Sequence, residues 1–330
     1  MKKLISEFTT QLNHSLEISE RAKLTPISEN ITYVVISGMG GSGIGGDIVS
    51  EAISQEIKIP IIVNKDYILP NYVEDKTLVI ISSYSGDTEE TVNAMKQAIS
   101  IGANIVCITS GGKVEELAIK NHLDVILIPK DMPPRAALSY SLVQLLYTLN
   151  FHSIISDKYK VEILNSIISL NKEEQYILTD AKETANLLLN KLPIVYSVSA
   201  IKAVSTRFCQ QLNENSKTLC WHNEFPELNH NELQGWEQKG NNFSVIIFRN
   251  DTDYLRTSKR IDISAGIIGD LNTPIKEVYS KGNSLLERML YLIHWGDWVS
   301  YFLAELKEVD TMDIRVISYL KWELSKVKEY

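Results

Sequence analysis

Six glycines fall within residues 38–46 of the stretch ISGMGGSGIGGD (36–47), directly after the apolar run YVVIS (33–37), and Ser42 carries the only hydroxyl among them. Glycine admits positive φ and lets a ligand approach bare backbone. Between a strand and a helix, such a loop aims its amides outward at the positive end of the helix dipole, where an anion is the natural occupant. A second loop, SSYSGDTEE (82–90), follows the apolar TLVII and opens the next helical stretch with the hydroxyls of Ser82, Ser83, Ser85 and Thr88 beside Gly86. Hydroxyls donate hydrogen bonds without adding charge, which suits a tetrahedral phosphate monoester. Ordinary helix capping is the alternative for either loop alone, and two loops after two strands favour a shared phosphate cradle.

Other chemistries fit less well. The first loop satisfies G-x-G-x-x-G at Gly38, Gly40 and Gly43 and again at Gly41, Gly43 and Gly46, so a nucleotide-dependent dehydrogenase has to be weighed. A dinucleotide site wants an acidic residue closing the second strand, whereas IIVNKD ends in Asn64 with Asp66 only nearby. A P-loop is poorer still, because no Gly-Lys-Ser/Thr follows. Further on, WHNEFPELNHNE (221–232) is dense in metal-type donors at His222, Glu224, Glu227, His230 and Glu232. Its spacing matches neither H-E-x-x-H nor a cysteine-histidine finger.

These residues need a frame to position them. Continuous apolar runs at 33–37, 59–63, 77–82, 104–109 and 124–129 read as buried parallel strands, since a strand covered on both faces lacks polar alternation. Helices are predicted near 43–56, 87–101, 113–121 and 135–150, after an amphipathic helix over 1–23 in which Leu4, Ile5, Phe8, Leu12, Leu16 and Ile18 recur near helical spacing. That is a doubly wound α/β unit spanning 1–152. A polar helical stretch (156–192), read as one or two helices, then bridges to a second α/β unit within 153–330. Its predicted strands are 193–199, 243–249 and 275–280, and its predicted helices lie near 200–212, 253–269, 284–307 and 313–328. The aromatic-rich stretch MLYLIHWGDWVSYFLAEL (289–306), His294 included, reads as core or dimer contact.

Composition agrees with two soluble units. A chain of 330 residues exceeds what one core usually covers. With 44% apolar and 22% charged residues it is of ordinary globular make-up, and no apolar run approaches the roughly 20 residues of a membrane span. The start, MKKLISEFTTQLNHSLEISE, lacks the apolar segment and cleavage site of a secretory signal, so a cytoplasmic protein is expected. A net charge of −8 argues against a nucleic-acid partner. Three scattered cysteines, Cys107, Cys209 and Cys220, predict buried or idle thiols in a reducing compartment.

The two serine-bearing loops, together with NENSK (213–217) and FPELNHNELQGW (225–236), resemble the bifunctional phosphoglucose/phosphomannose isomerases, relatives of glucose-6-phosphate isomerase. The resemblance covers nearly the whole chain, and its C-terminal block is the more specific part. It implies two stacked sugar isomerase (SIS) domains, a homodimer with active sites near the interface, and no metal or organic cofactor. The implied reaction is an aldose–ketose isomerisation of hexose 6-phosphates through a cis-enediol. A phosphosugar-sensing module without chemistry is the alternative, since fold does not fix function.

Carried over residue by residue, the substrate phosphate would rest on Gly41 and Ser42 of the first loop and on Ser83, Ser85 and Thr88 of the second. Glu214 would shuttle the proton between C1 and C2. His230, contributed by the partner subunit, would open the ring, a task suited to imidazole. Arg135, in MPPRAALSY, would stabilise the enediolate electrostatically. Lys321 is the expected lysine of the final helix, with Lys326 and Lys328 near it. Two departures stand out: Asp87 replaces the family's usual asparagine, and VDTMD (309–313) replaces Val-Asp-Pro-Thr-Pro. An added carboxylate would repel the phosphate unless it turned away or capped a helix.

Overall fold

The computed structural model describes residues 1–237 and 242–327. Instead of one helix over 1–23, the chain begins with α1 (Lys2–Ser6) and α2 (Phe8–Arg21), separated at Glu7. In α2 the buried Phe8, Gln11, Leu12, Ser15 and Ser19 follow the helical period, so one stripe packs inward and the rest faces water.

The first sheet contains β1 (Tyr33–Ser37), β2 (Ile61–Asn64), β3 (Thr77–Ser83), β4 (Asn104–Thr109) and β5 (Asp124–Leu127). Its order is β2-β1-β3-β4-β5 and every pairing is parallel. The connecting helices are α3 (Gly40–Ala52), α4 (Glu89–Ile101) and α5 (Gly112–Lys120). Strand order reverses between β1 and β3, which opens a crevice at their carboxyl ends where ligands of doubly wound sheets bind. Both serine-bearing loops leave from those two ends.

A short 3₁₀ turn, Pro134–Ala136, precedes α6 (Leu138–Phe151), and the polar bridging stretch forms one 31-residue helix, α7 (Lys158–Leu188). At 1.5 Å per residue α7 is about 46 Å long, enough to run past both sheets.

The second sheet holds β6 (Leu192–Val198), β7 (Trp221–Phe225), β8 (Phe243–Arg249) and β9 (Ile275–Tyr279), all parallel in the order β7-β6-β8-β9. Its helices are α8 (Lys202–Ser216), α9 (Glu232–Gly235), α10 (Leu255–Gly269), α11 (Leu285–Leu306) and α12 (Arg315–Leu324). Strand β7 was not predicted. Its sequence, WHNEF, pairs only with β6 at the sheet edge, so it carries no continuous apolar run.

Alternate residues of the first sheet serve two cores. Val34, Ile36, Leu78 and Ile80 join a large cluster that continues through α6, α7 and α11 to Ile194, Tyr196, Ile246 and Phe248 of the second sheet. Val35, Val79 and Ile81 pack on the other side against Met95 and Ala98 of α4. Among the described residues no helix is long and apolar enough to cross a membrane.

Helices α3 and α8 lie side by side and antiparallel, and this contact positions the site. The C-terminal end of α3 meets the start of α8, where the Ala203 amide donates to the Glu51 carboxylate. The glycine-rich start of α3 therefore lies toward the end of α8, where Glu214 stands.

Candidate active site

The first loop is built by close backbone approach. A Cβ on Gly38 would lie 2.6 Å from the carbonyl oxygen of Ser82, and one on Gly41 would lie 2.9 Å from that of Pro134. Only glycine allows β1's exit to press against β3 and the start of α3 to press against the Pro134–Ala136 turn. Ser42, buried in the first turn of α3, accepts the Tyr84 amide on its Oγ at 3.2 Å. The two loops are thereby joined.

In the second loop the Ser83 hydroxyl donates to Thr88 Oγ1 at 3.2 Å and accepts the Gly86 amide at the same distance, while Ser85 Oγ accepts the Asp87 amide at 3.3 Å. Gly86 holds a φ of +73°, and a Cβ there would fall 1.7 Å from the Gly111 carbonyl oxygen, so no other residue fits. The Asp87 carboxylate accepts the Lys113 amide at 3.2 Å. It faces the beginning of α5, not the start of α4.

Arg135 links these loops to the second sheet. Its turn follows Pro133 and begins with Pro134, both of which fix φ and supply no amide hydrogen. The buried guanidinium donates from Nε to Asn215 Oδ1 at 2.8 Å, from Nη1 to Glu214 Oε2 at 3.3 Å and from Nη2 to the Thr311 carbonyl. Burial pulls the Arg135 pKa down, and the Glu214 and Asp310 carboxylates oppose that pull. A guanidinium held on three sides cannot swing away, so its charge is preorganised beside the Glu214 carboxylate.

A polar layer underneath fixes Arg135. Arg207 of α8 donates from Nη2 to the Arg135 carbonyl at 3.1 Å and to both Asp297 oxygens at 3.0 and 2.8 Å. Gln211 adds a bond to Asp297 Oδ1 at 2.7 Å, and Asn215 donates to Ser300 Oγ at 2.9 Å. Burial pushes the Asp297 carboxyl above its ordinary value, and Arg207 and Gln211 hold it back. Beyond Glu214, Lys217 caps α8 with a φ of +51° and donates from Nζ to the Glu214 and Asp310 carbonyls at 2.6 and 2.8 Å. It clamps the end of α8 to the 310–313 segment.

Asn215 and Lys217 lie inside the quoted NENSK, but nothing local in the sequence assigns them these contacts. Arg207 and Asp297 stand 90 positions apart. Their one available signal is an aspartate in the aromatic-rich, largely buried middle of α11, which demands a buried partner.

Glu214 and Lys217 open onto a cleft of about 730 Å³, closed on its other side by Ile314, Val316 and Tyr319. The serine loops do not line it, and the Pro134–Ala136 turn is what joins loops and cleft.

Two expected residues stand apart from Glu214 within one chain. His230 is exposed on a 3₁₀ turn after β7 and lines a separate hollow of about 380 Å³ with Trp236, Ile267 and Leu271. Helix α8 runs back along the sheet before β7 crosses it again, so Glu214 lies toward the amino ends of the strands and His230 at their carboxyl ends. Lys321 is exposed on α12. Lys326 pairs with Glu323 at 3.0 Å, and Lys328 lies outside the described residues.

The carboxylates of the donor-rich block 221–232 are engaged by protein contacts. Glu232 accepts from Tyr196, from Trp221 Nε1 at 3.2 Å and from Asn223 at 2.6 Å, and Glu224 pairs with Lys202 at 2.8 Å. Among the described residues no group of three or more histidine, cysteine or acidic side chains is arranged to hold a metal.

Residues 177–324 match the model of the bacterial phospho-glucose isomerase C-terminal SIS domain. Over 332 aligned residues the chain is 40% identical to the bifunctional phosphoglucose/phosphomannose isomerase of Caldicellulosiruptor bescii, with 97% of each chain covered. The chain belongs to the bifunctional phosphoglucose/phosphomannose isomerase family. A second member, from Aquifex aeolicus, is 36% identical across 89% of this chain and 90% of its own. Among solved structures, a hypothetical protein from Thermus thermophilus superposes with a TM-score of 0.76 over 98% of this chain and 90% of its own, at 14% identity. That likeness concerns the fold: two parallel sheets within one α/β architecture, as expected from the sequence. Family membership makes the chain an isomerase, and a likeness running its full length speaks against a purely sensing module.

Proposed function

We propose that this isomerase interconverts glucose 6-phosphate and mannose 6-phosphate with fructose 6-phosphate through a cis-enediol. Its relatives from C. bescii and A. aeolicus bear the bifunctional phosphoglucose/phosphomannose name. One observation carries the reading: Arg135, whose turn abuts the first serine loop at Gly41, also reaches Glu214. A substrate anchored by its phosphate at Gly41, Ser42, Ser83, Ser85 and Thr88 would extend its C1–C2 end past Arg135 toward Glu214.

Each residue then has one task. The loops take the dianion with amides and hydroxyls, replacing lost hydration with fixed dipoles. Glu214 removes the proton from C2 of the aldose and returns it to C1 on the same face. The Arg135 guanidinium meets the negative charge that develops on the enediolate oxygen. His230 opens the ring, and because it lies at the opposite end of its sheet's strands from Glu214, it serves the site of a second copy in a homodimer. Lys321 completes the set from α12. We assign 1–152 to the phosphate-binding unit and 153–330 to the unit carrying Glu214 and His230, in a cytoplasmic enzyme that needs no metal or organic cofactor.

The test is a coupled assay started from fructose 6-phosphate, reading both aldose products. Wild-type protein is expected to form them, and Glu214→Gln to lose at least a thousandfold in kcat, about 4 kcal/mol of transition-state stabilisation, while still binding substrate. Full turnover by Glu214→Gln overturns the assignment of the base.

A further inference from the structure

Of the three cysteines expected to be idle, two are in contact. Cys209 is buried on α8, Cys220 is half-buried one residue ahead of β7, and their Sγ atoms lie 2.6 Å apart. The two side chains meet directly across the turn, the adjacency that a disulfide requires. Cys107, in β4, is buried elsewhere, its thiol pushed up to about 12 by burial. The contact spans the end of α8 and the turn after it. Glu214 lies midway along that segment, together with Asn215 and Lys217, which hold Arg135 and the 310–313 loop.

We propose that Cys209 and Cys220 are a disulfide modification site whose bond staples the segment bearing Glu214 to the edge strand β7. The reagent class is a small or protein disulfide acting by exchange. The Cys220 thiolate, on the more accessible sulfur, attacks one sulfur of the reagent and expels its first thiol, leaving a mixed disulfide. The Cys209 thiolate then attacks the Cys220 sulfur and expels the second. Two protein thiols lose two protons and two electrons, and one reagent disulfide gains them as two thiols. Burial and the neighbouring sulfur push the Cys220 thiol well above its ordinary value, so the exchange quickens as pH rises. Because the two side chains are already adjacent, the ring closes on the existing course of the backbone, and its effect is to restrain the segment, not to displace Glu214.

The experiment treats the full chain with oxidised glutathione at about pH 8.5, where more thiolate is present, followed by intact-mass measurement, non-reducing peptide mapping and amide hydrogen exchange. The expected result is a loss of about 2 Da, the two hydrogens removed by exchange. One cross-linked peptide pair should contain Cys209 and Cys220, amide exchange across 210–219 should slow, and Tm should rise by about 5 °C. A Cys220→Ser variant should show none of these changes, and a Cys107→Ser variant should show all of them. Three free thiols after treatment, a glutathione retained on Cys220, or a cross-link that leaves exchange across 210–219 unchanged would each overturn the proposal.

Discussion

Both carboxylate oxygens of Glu51 accept the Ala203 amide, at 3.0 and 2.9 Å, tying the last turn of α3 to the first turn of α8. Burial raises the Glu51 pKa from 4.5 to about 7, and the nearby Asp47 and Glu224 add to the rise. The folded state therefore holds its proton more tightly than the unfolded chain does. Stability from this group is fully present below about pH 4.5 and declines as pH climbs to about 7, after which the loss is complete, on the order of 3 kcal/mol. Glu51→Gln keeps an oxygen for Ala203 and has no proton to lose. Urea unfolding at pH 5 and pH 8 should show the variant gaining on wild type at the higher pH, and parallel pH dependence in the two proteins would contradict this.

The buried Arg207–Asp297 pair separates folding from catalysis. Asp297→Ala leaves a guanidinium desolvated and unpaired, at a cost of about 3–5 kcal/mol. Replacing both partners, Arg207→Met with Asp297→Leu, removes the orphaned charge and should restore most of that stability. It does not restore the bond from Arg207 to the Arg135 carbonyl, so turnover should remain depressed. Urea unfolding read beside the isomerase assay checks both halves. A double variant of normal activity would show that Arg135 needs no such support.

How far the sequence announced this arrangement depends on the range of each signal. Strands β1, β3 and β4 were legible because both faces are covered, which leaves unbroken apolar runs. The edge strand β7 was not, since WHNEF places three half-buried polar residues in a row, and the break at Glu7 left no mark in the apolar period of 1–23. At the candidate site, Ser42 and Ser83 stood out by their local motifs, and Glu214 and Arg135 through the family resemblance of their flanking segments. Arg207, Gln211 and Asp297 did not, because what gives them meaning is a contact between α8 and α11 that no local window contains. His230 was legible as a residue, but only the fold reveals that β7 carries it to the end of the sheet's strands away from Glu214.

Ser42 and Ser83 test the anchoring end of the substrate. Ser42 Oγ holds the Tyr84 amide and Ser83 Oγ holds that of Gly86, so each hydroxyl shapes the loops proposed to take the phosphate. Ser42→Ala and Ser83→Ala should each raise KM for hexose 6-phosphates by about tenfold, roughly 1.4 kcal/mol per lost hydrogen bond to a charged group. Inhibition by inorganic phosphate should weaken in step. A variant whose KM and phosphate inhibition both match wild type would remove that serine from the cradle.

The placement of His230 yields the sharpest test of assembly. Glu214 lies near the end of α8, at the amino ends of the second sheet's strands, and His230 follows β7 at their carboxyl ends, so the two stand apart within one chain. If His230 serves a second copy, Glu214→Gln and His230→Ala chains are each inactive alone, yet a hybrid dimer regains one intact site that takes its glutamate from one chain and its histidine from the other. Unfolding the two variants together in equal amounts and refolding them makes half of the dimers hybrid under two-fold symmetry, each with one working site of two, so about a quarter of the wild-type rate should return. Two variants that stay inactive when mixed, although native mass spectrometry detects the hybrid, would mean that each chain uses its own histidine and that β7 must move to deliver it.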